Sequence, residues 1–252
     1  MDRWKFYAIT HQDHVVCNPT SVQRLDEVIA WLDLPPGAAV WEAASGKGEL
    51  LVRLAAQAGI RGVGVDRSPF EVAVACELAA SRVPDADLRF VEGDAGAHEP
   101  AGASVDLAVC LGASWIWGGL HGTLQALARV VRPGGQILVG EPYWKRQPEL
   151  AYLDAAGFGA DLCSDLHGNV AIGEGLGLQV LAVLPSRDED WDRYESLQIR
   201  AAERYAATHP DDPDVPEVLA EQRRAFAAYL RWGRDTLGWA MYLFRLPASG
   251  GT

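Results

Sequence analysis

The chain lacks any apolar stretch approaching the ~20 residues that a membrane-crossing helix needs. Its opening, Met1-Asp2-Arg3-Trp4-Lys5-Phe6, has no apolar core of a secretory leader, so a cytoplasmic location and no membrane partner are expected. Basic charge is scarce: 22 Lys and Arg against 34 Asp and Glu leave a net charge of -12. The basic residues are scattered, with short clusters at Lys145-Arg146 and Arg223-Arg224, and form no stripe of the kind that nucleic acid requires. No nucleic-acid partner is expected. Cysteine is sparse too. Cys17, Cys76, Cys110 and Cys163 include no C-x-x-C pair, and they read as reduced thiols with no metal site.

What remains is an ordinary globular mix, 252 residues of which 49% are apolar and 22% charged. That length suits one domain with a modest insertion, as a monomer or a homodimer. Residues 1–19 read as an irregular polar-aromatic segment. From Ser21 to Leu32 the apolar positions Val22, Leu25, Val28, Ile29 and Leu32 keep helical spacing, with Thr20 or Ser21 as cap and Pro35-Pro36-Gly37 as the stop.

The period then changes. Strands are expected at 38–44, 62–66, 88–91, 105–111 and 136–140, with helices at 49–58, 69–81 and 120–131 between them. Gly59 closes the first of these helices, and Pro69 opens the second. The strand runs are apolar without alternation, as in strands covered on both faces. Such alternation of strand and helix implies an α/β fold with a doubly wound, mostly parallel sheet. Two further strands at 178–184 and 239–246 bring the count to seven. Between these two, helices at 189–207 and 216–234 form an insertion, expected as a lid or side wall. The organisation read from the chain is therefore one domain over 1–252, with an N-terminal cap at 1–37, a ligand-binding core at 38–145 and a helical insertion at 186–236.

The chemistry concentrates where strands end. Glu42-Ala43-Ala44-Ser45-Gly46-Lys47-Gly48-Glu49 is a strand, a glycine-containing turn and a helix start. Gly46 and Gly48 let a ligand approach the backbone closely. Asp66 ends the next strand, where a carboxylate can accept both hydroxyls of a ribose. Asp94 follows the third strand and is placed to accept from an exocyclic amine of adenine. Glu42, at the first turn, suits a cationic amine and repels pyrophosphate. Nicotinamide and flavin nucleotides want G-x-G-x-x-G, but Leu51 stands where its third glycine would be. A nicotinamide oxidoreductase is thereby disfavoured. S-adenosylmethionine, which carries an ammonium, a sulfonium and no phosphate, suits the site.

With these residues in view, positions 38–145 resemble the class I (Rossmann-like) S-adenosylmethionine-dependent methyltransferases, in particular the small-molecule branch similar to the ubiquinone and menaquinone C-methyltransferases. The segments that carry the likeness are Val40 to Glu49, Asp66, Gly93-Asp94-Ala95, Asp106 to Ala113 and Val130 to Pro142. Over the whole chain, His11-x-x-His14-x-x-Cys17-Asn18-Pro19 and Glu141-Pro142-Tyr143-Trp144 are similar to bacterial methyltransferases, most of them uncharacterised. The resemblance implies an enzyme that uses S-adenosylmethionine and releases S-adenosylhomocysteine. It implies cofactor contacts from Glu42, Ala44, Gly46, Gly48, Asp66, Arg67, Asp94, Ala95, Cys110 and Leu111. Ala44 departs from the family pattern by replacing the first glycine of the motif, which is compatible with binding if its φ stays negative. Trp41 replaces an aliphatic residue and reads as core filler.

On the acceptor side, the same resemblance places the N-terminal segment over the cofactor. His11, His14 and Glu141 are candidate catalytic groups, and Cys17, Trp115, Tyr143 and Trp144 are candidate substrate contacts. The expected reaction is in-line displacement on the methyl carbon by an O, N, S or C nucleophile of a small molecule, with a general base needed only for some acceptors. Two alternatives stay open: a non-catalytic S-adenosylmethionine-binding module, and a thiol or metalloid methyltransferase in which Cys17, Cys110 and Cys163 converge.

Overall fold

A computed structural model describes residues 1–159 and 161–248 of the chain. The N-terminal segment is helical where irregular chain was expected. Helix α1 (Arg3–Thr10) starts at Asp2, whose carboxylate accepts from the Lys5 N–H at 2.9 Å. Its weak amphipathicity hid it; Ile9 is buried only because Ala202 and Val218 of the distant insertion cover it. Helix α2 (Val22–Ala30) is capped by Ser21 and not by Thr20.

The alternating core follows: β1 (Ala39–Ala43), α3 (Glu49–Ala58), β2 (Arg61–Asp66), α4 (Pro69–Arg82), β3 (Leu88–Glu92), β4 (Val105–Leu111), α5 (Leu120–Val130) and β5 (Val131–Trp144). Strand β5 overruns its expected end because its partner β7 pairs with it from Gln136 to Trp144. Two helices that the sequence pattern did not announce come next, α6 (Leu150–Ala156) and α7 (Leu166–Gly175). Glycines dilute the pattern of α7, and one of them, Gly173, leaves room for the Phe244 ring where a Cβ would collide. The chain ends with β6 (Gln179–Pro185), α8 (Asp188–Thr208), α9 (Val215–Ala228) and β7 (Leu237–Arg245). Helix α9 continues through a π turn at Tyr229–Gly233, so the expected single helix over 216–234 changes pitch near its end.

Among the described residues seven strands form one sheet, in the order β3-β2-β1-β4-β5-β7-β6. Strands β1 to β5 pair in parallel, and β7 runs antiparallel between β5 and β6. Both faces are covered. Trp41, Ala108, Ile137 and Phe244 pack with α5 and α7 on one side; Val40, Leu107, Leu138 and Met241 pack with α2 and α3 on the other. Neighbours along a strand thus go to opposite cores, which is why β4 is apolar and buried at nearly every residue without alternation. No helix of the described chain is long and apolar enough to cross a membrane.

Candidate active site

The carboxyl ends of β1, β2 and β4 lie side by side, with Ala43 level with Val65 and Cys110. A cavity of about 500 Å³ opens there, walled by the β1–α3 loop, the segment after α1, and α8. That size falls within the range of small-molecule sites.

The loop after β1 holds its shape through main-chain contacts. Ser45 N–H donates to the Val65 carbonyl at 3.1 Å and Gly48 N–H to the Ser45 carbonyl at 2.9 Å. Asp66 accepts from Gly46 N–H and from Ser68 N–H, each at 2.8 Å. This pinning puts Gly46 and Gly48 at φ of 51° and 71°, and it forces Ala44 to 53°. The expectation that Ala44 avoids positive φ is therefore corrected: alanine occupies the left-handed conformation that the loop demands, at a cost of about 1–2 kcal/mol.

Three acids face the cavity without a salt-bridge cation: Glu71 on α4, and Glu42 and Asp66 at the strand ends. Glu42 is buried, and its Oε2 has no partner. Burial, then the neighbouring Asp66, pushes its carboxyl well above the usual range. Burial also raises Asp66, against the backbone N–H groups of Ser68, Gly46 and Arg67 that favour its charged form. Unpaired buried acids are costly. A ligand bringing an ammonium and two hydroxyls would relieve Glu42 and Asp66, so the donor set fits S-adenosylmethionine. An annexe of about 50 Å³ adjoins, bounded by Val65, Arg67, Gly93, Ala95 and Ile116. Asp94 sits at its edge without lining it. Its carboxylate accepts from Gly96 N–H at 2.9 Å and pairs with the Arg67 guanidinium, which lies 5.8 Å from the Trp115 ring centroid. Leu111 lines the main cavity, whereas Cys110 is buried in the core beneath it.

The acceptor-side candidates divide. His11, Cys17 and Trp115 line the cavity. His14 stands behind His11, with ring centroids 4.9 Å apart and its Nε2 3.0 Å from the Tyr194 carbonyl. Burial, with His14 alongside, pushes His11 down to about 3, so its ring is neutral. Glu141 does not line the cavity. It accepts from Ser114 Oγ at 2.9 Å, and burial lifts its carboxyl to about 7. Tyr143 and Trp144 do not line it either. Pro142 does, and strand alternation turns Tyr143 to the opposite face, while Trp144 packs edge-on against Tyr152. The three thiols do not converge: Cys17 is on the cavity wall, Cys110 in the sheet core and Cys163 against the Tyr152 cluster. Burial pushes each of them up to about 12, so none is a ready nucleophile.

Tyr7, Trp239 and Glu71 are among the cavity residues that the sequence did not single out, while Trp191 and Tyr194, insertion aromatics read as helix packing with one or two facing substrate, both line the wall; α1, α8 and β7 are elements that sequence spacing does not bring together. Lys47 escaped as well, although its place between Gly46 and Gly48 was a visible signal. Its ammonium donates to the carbonyls of His11 and His14 at 2.7 and 2.8 Å.

Residues 40–135 match a family model described as a methyltransferase domain. The fold superposes, with a TM-score of 0.90 and 32% identity, on an S-adenosylmethionine-dependent methyltransferase from Geobacter sulfurreducens solved with S-adenosyl-L-homocysteine; the match covers 95% of this chain and 97% of that one. An S-adenosylmethionine-dependent methyltransferase from Thiobacillus denitrificans, also solved with S-adenosyl-L-homocysteine, gives 0.89 and 32%, covering 97% and 99%. The uncharacterized Escherichia coli protein YjhP is 32% identical over 245 residues, 96% of this chain and 98% of its own.

Proposed function

The chain belongs to the S-adenosylmethionine-dependent methyltransferase family, and on that premise we propose that it methylates a small molecule bound in the 500 Å³ cavity. The observation that carries the reading is the continuity of this cavity from the acids Glu42 and Asp66 to the aromatic wall of α1 and α8. S-adenosylmethionine supplies an electrophilic methyl group on a sulfonium. In our reading Glu42 receives its ammonium, Asp66 its ribose hydroxyls, and the Gly46 to Gly48 backbone lies along it. Ala44, Ala95, Leu111 and Arg67 flank the nucleoside, and Asp94 gives up Arg67 to accept from the adenine amine. The N-terminal segment and α8 enclose the acceptor, excluding water and aligning the nucleophile, which supplies much of the acceleration in such displacements. Residues 1–37 and 186–236 then act as the acceptor-side walls of one domain, and the absence of a basic stripe argues against a nucleic-acid substrate. The thiol or metalloid version loses support because Cys17, Cys110 and Cys163 are apart and protonated.

Calorimetry with S-adenosylmethionine and S-adenosylhomocysteine tests the reading. Wild-type protein is expected to bind both, and Asp66→Ala to weaken both by more than about tenfold, as befits lost bonds to a charged acceptor. Folded wild-type protein that binds neither would refute it.

A further inference from the structure

Resting on that reading, we propose that the methyl acceptor is an amine and that Tyr194 holds it, the hydroxyl oxygen accepting from the amine N–H.

The direction of one proton decides what Tyr194 can do. His11 Nδ1 lies 3.2 Å from the Tyr7 carbonyl and 3.0 Å from Thr10 Oγ. The carbonyl can only accept, and the Thr10 hydroxyl spends its own proton on the Phe6 carbonyl at 3.0 Å. Nδ1 therefore carries the hydrogen, and the bare Nε2 accepts from the Tyr194 hydroxyl at 2.9 Å. With its only proton committed to His11, the Tyr194 oxygen offers the cavity nothing but lone pairs. A ligand atom that meets it has to be a donor.

The candidate groups read from the sequence do not help to make an anionic nucleophile either. His11 is held near 3, the Cys17 thiol near 12, and Glu141 lies off the wall. An amine needs only to shed its ammonium proton, because its reactive form is neutral and carries its own lone pair.

Charge points the same way. With Glu42 and Asp66 taken up by the cofactor, the wall still carries Glu71, whose Oε2 lacks a partner. The Lys47 ammonium is spent on the His11 and His14 carbonyls, and Arg3 lies against Tyr7, donating to its hydroxyl at 3.2 Å. Glu49, the remaining acid on the wall, is paired with Arg53 and Arg82. A carboxylate or phosphate acceptor would meet the Glu71 carboxyl. An ammonium would be drawn in, and the rings of Trp4, Tyr7, Trp191 and Trp239 suit it and its methylated product. The ammonium loses one proton to solvent as it enters the cavity, before the step itself. The nitrogen lone pair then forms the bond to the methyl carbon as the carbon–sulfur bond breaks and its pair stays on sulfur. The positive charge passes from sulfur to nitrogen, and the product is a methylated ammonium.

The test is calorimetry on the S-adenosylhomocysteine complex with three probes of matched shape, 2-phenylethylamine, 2-phenylethanol and 3-phenylpropionate, in wild-type protein and Tyr194→Phe. The amine is expected to bind at least about tenfold more tightly than the alcohol, with the carboxylate weakest. Tyr194→Phe is expected to weaken the amine about tenfold while leaving the affinity for S-adenosylhomocysteine unchanged. Labelled methyl from S-adenosylmethionine should enter the amine and not the alcohol. Overturning results are alcohol or carboxylate bound as tightly as the amine, no amine binding to the complex, or a variant that binds the amine as the wild type does. If Tyr194→Phe does not fold, the wild-type ranking decides alone. Failure to bind S-adenosylhomocysteine at all is a separate outcome, which removes the methyltransferase reading instead.

Discussion

Lys47 Nζ donates to the His11 carbonyl at 2.7 Å, tying the loop that follows β1 to the segment that closes the cavity. A second bond from the same ammonium reaches the His14 carbonyl at 2.8 Å. One side chain therefore couples the cofactor loop to the acceptor wall. Lys47→Met keeps the stem and removes the donors. It is expected to cost about 2 kcal/mol and so to lower the melting temperature by roughly 4–8 °C, with weaker S-adenosylmethionine binding. Differential scanning fluorimetry with and without the ligand checks both. Wild-type values in each would show that the strap carries no load.

The left-handed residues of the loop should respond unequally to substitution. A Cβ on Gly48 would sit 2.6 Å from the Phe90 ring at a φ of 71°, whereas one on Gly46 would meet nothing within 4 Å. Gly48→Ala is expected to destabilise by more than about 2 kcal/mol and to abolish ligand binding, and Gly46→Ala to cost only about 1 kcal/mol of backbone strain. Ala44→Gly relieves strain of about 1–2 kcal/mol but gives back about 0.5–1 kcal/mol in unfolded-chain entropy. A slight gain in stability is expected. Urea titrations of the three variants rank them; equal losses for Gly46→Ala and Gly48→Ala would contradict the steric argument.

Glu141 makes stability depend on pH in a definite direction. Its carboxyl titrates near 7 when folded and near the usual 4.5 when unfolded. Between those values the unfolded chain has already lost the proton that the folded one keeps, so stability falls as pH rises from 4.5 to 7 and is flat above. The fall amounts to about 3 kcal/mol. His11 acts oppositely: held near 3 against an ordinary 6.5, it erodes stability as pH drops below 6.5. Glu141→Gln removes the first effect and leaves the second. The difference in unfolding free energy between wild type and Glu141→Gln, followed from pH 4.5 to 8, should move by about 3 kcal/mol in favour of the variant. A difference that does not vary with pH would mean that Glu141 titrates normally.

The part of the fold legible in the sequence is the part with short-range repeats. Helix α3 and strand β4 fall where spacing and burial pattern place them, because each is bounded by residues that act locally, such as Gly48 and Gly59 around α3. Glu42, Gly46 and Asp66, singled out in the sequence, lie on the cavity wall and Gly48 just behind it for the same reason: strand, turn and helix start follow one another in a few residues, and the parallel register then sets Ala43 beside Val65. Helices α1 and α7 were not legible. One is amphipathic only against the insertion, and the other is interrupted by glycines that make room for Phe244.

By itself, then, the sequence determined the layered sheet, the cavity's place at the strand ends and two of the acids that face it, Glu42 and Asp66, since these follow from periodicity and from turns within one stretch of chain. Only the tertiary structure decided which aromatic and polar groups share that cavity. His11 and Tyr194 are 183 positions apart, and their hydrogen bond exists because α1 and α8 pack against each other. The same packing left Tyr143, Trp144, Cys110 and Cys163 off the cavity wall despite their promising neighbours in sequence. Periodicity tells which side of an element is apolar; the partner that side meets is settled by how all the elements share one pair of cores.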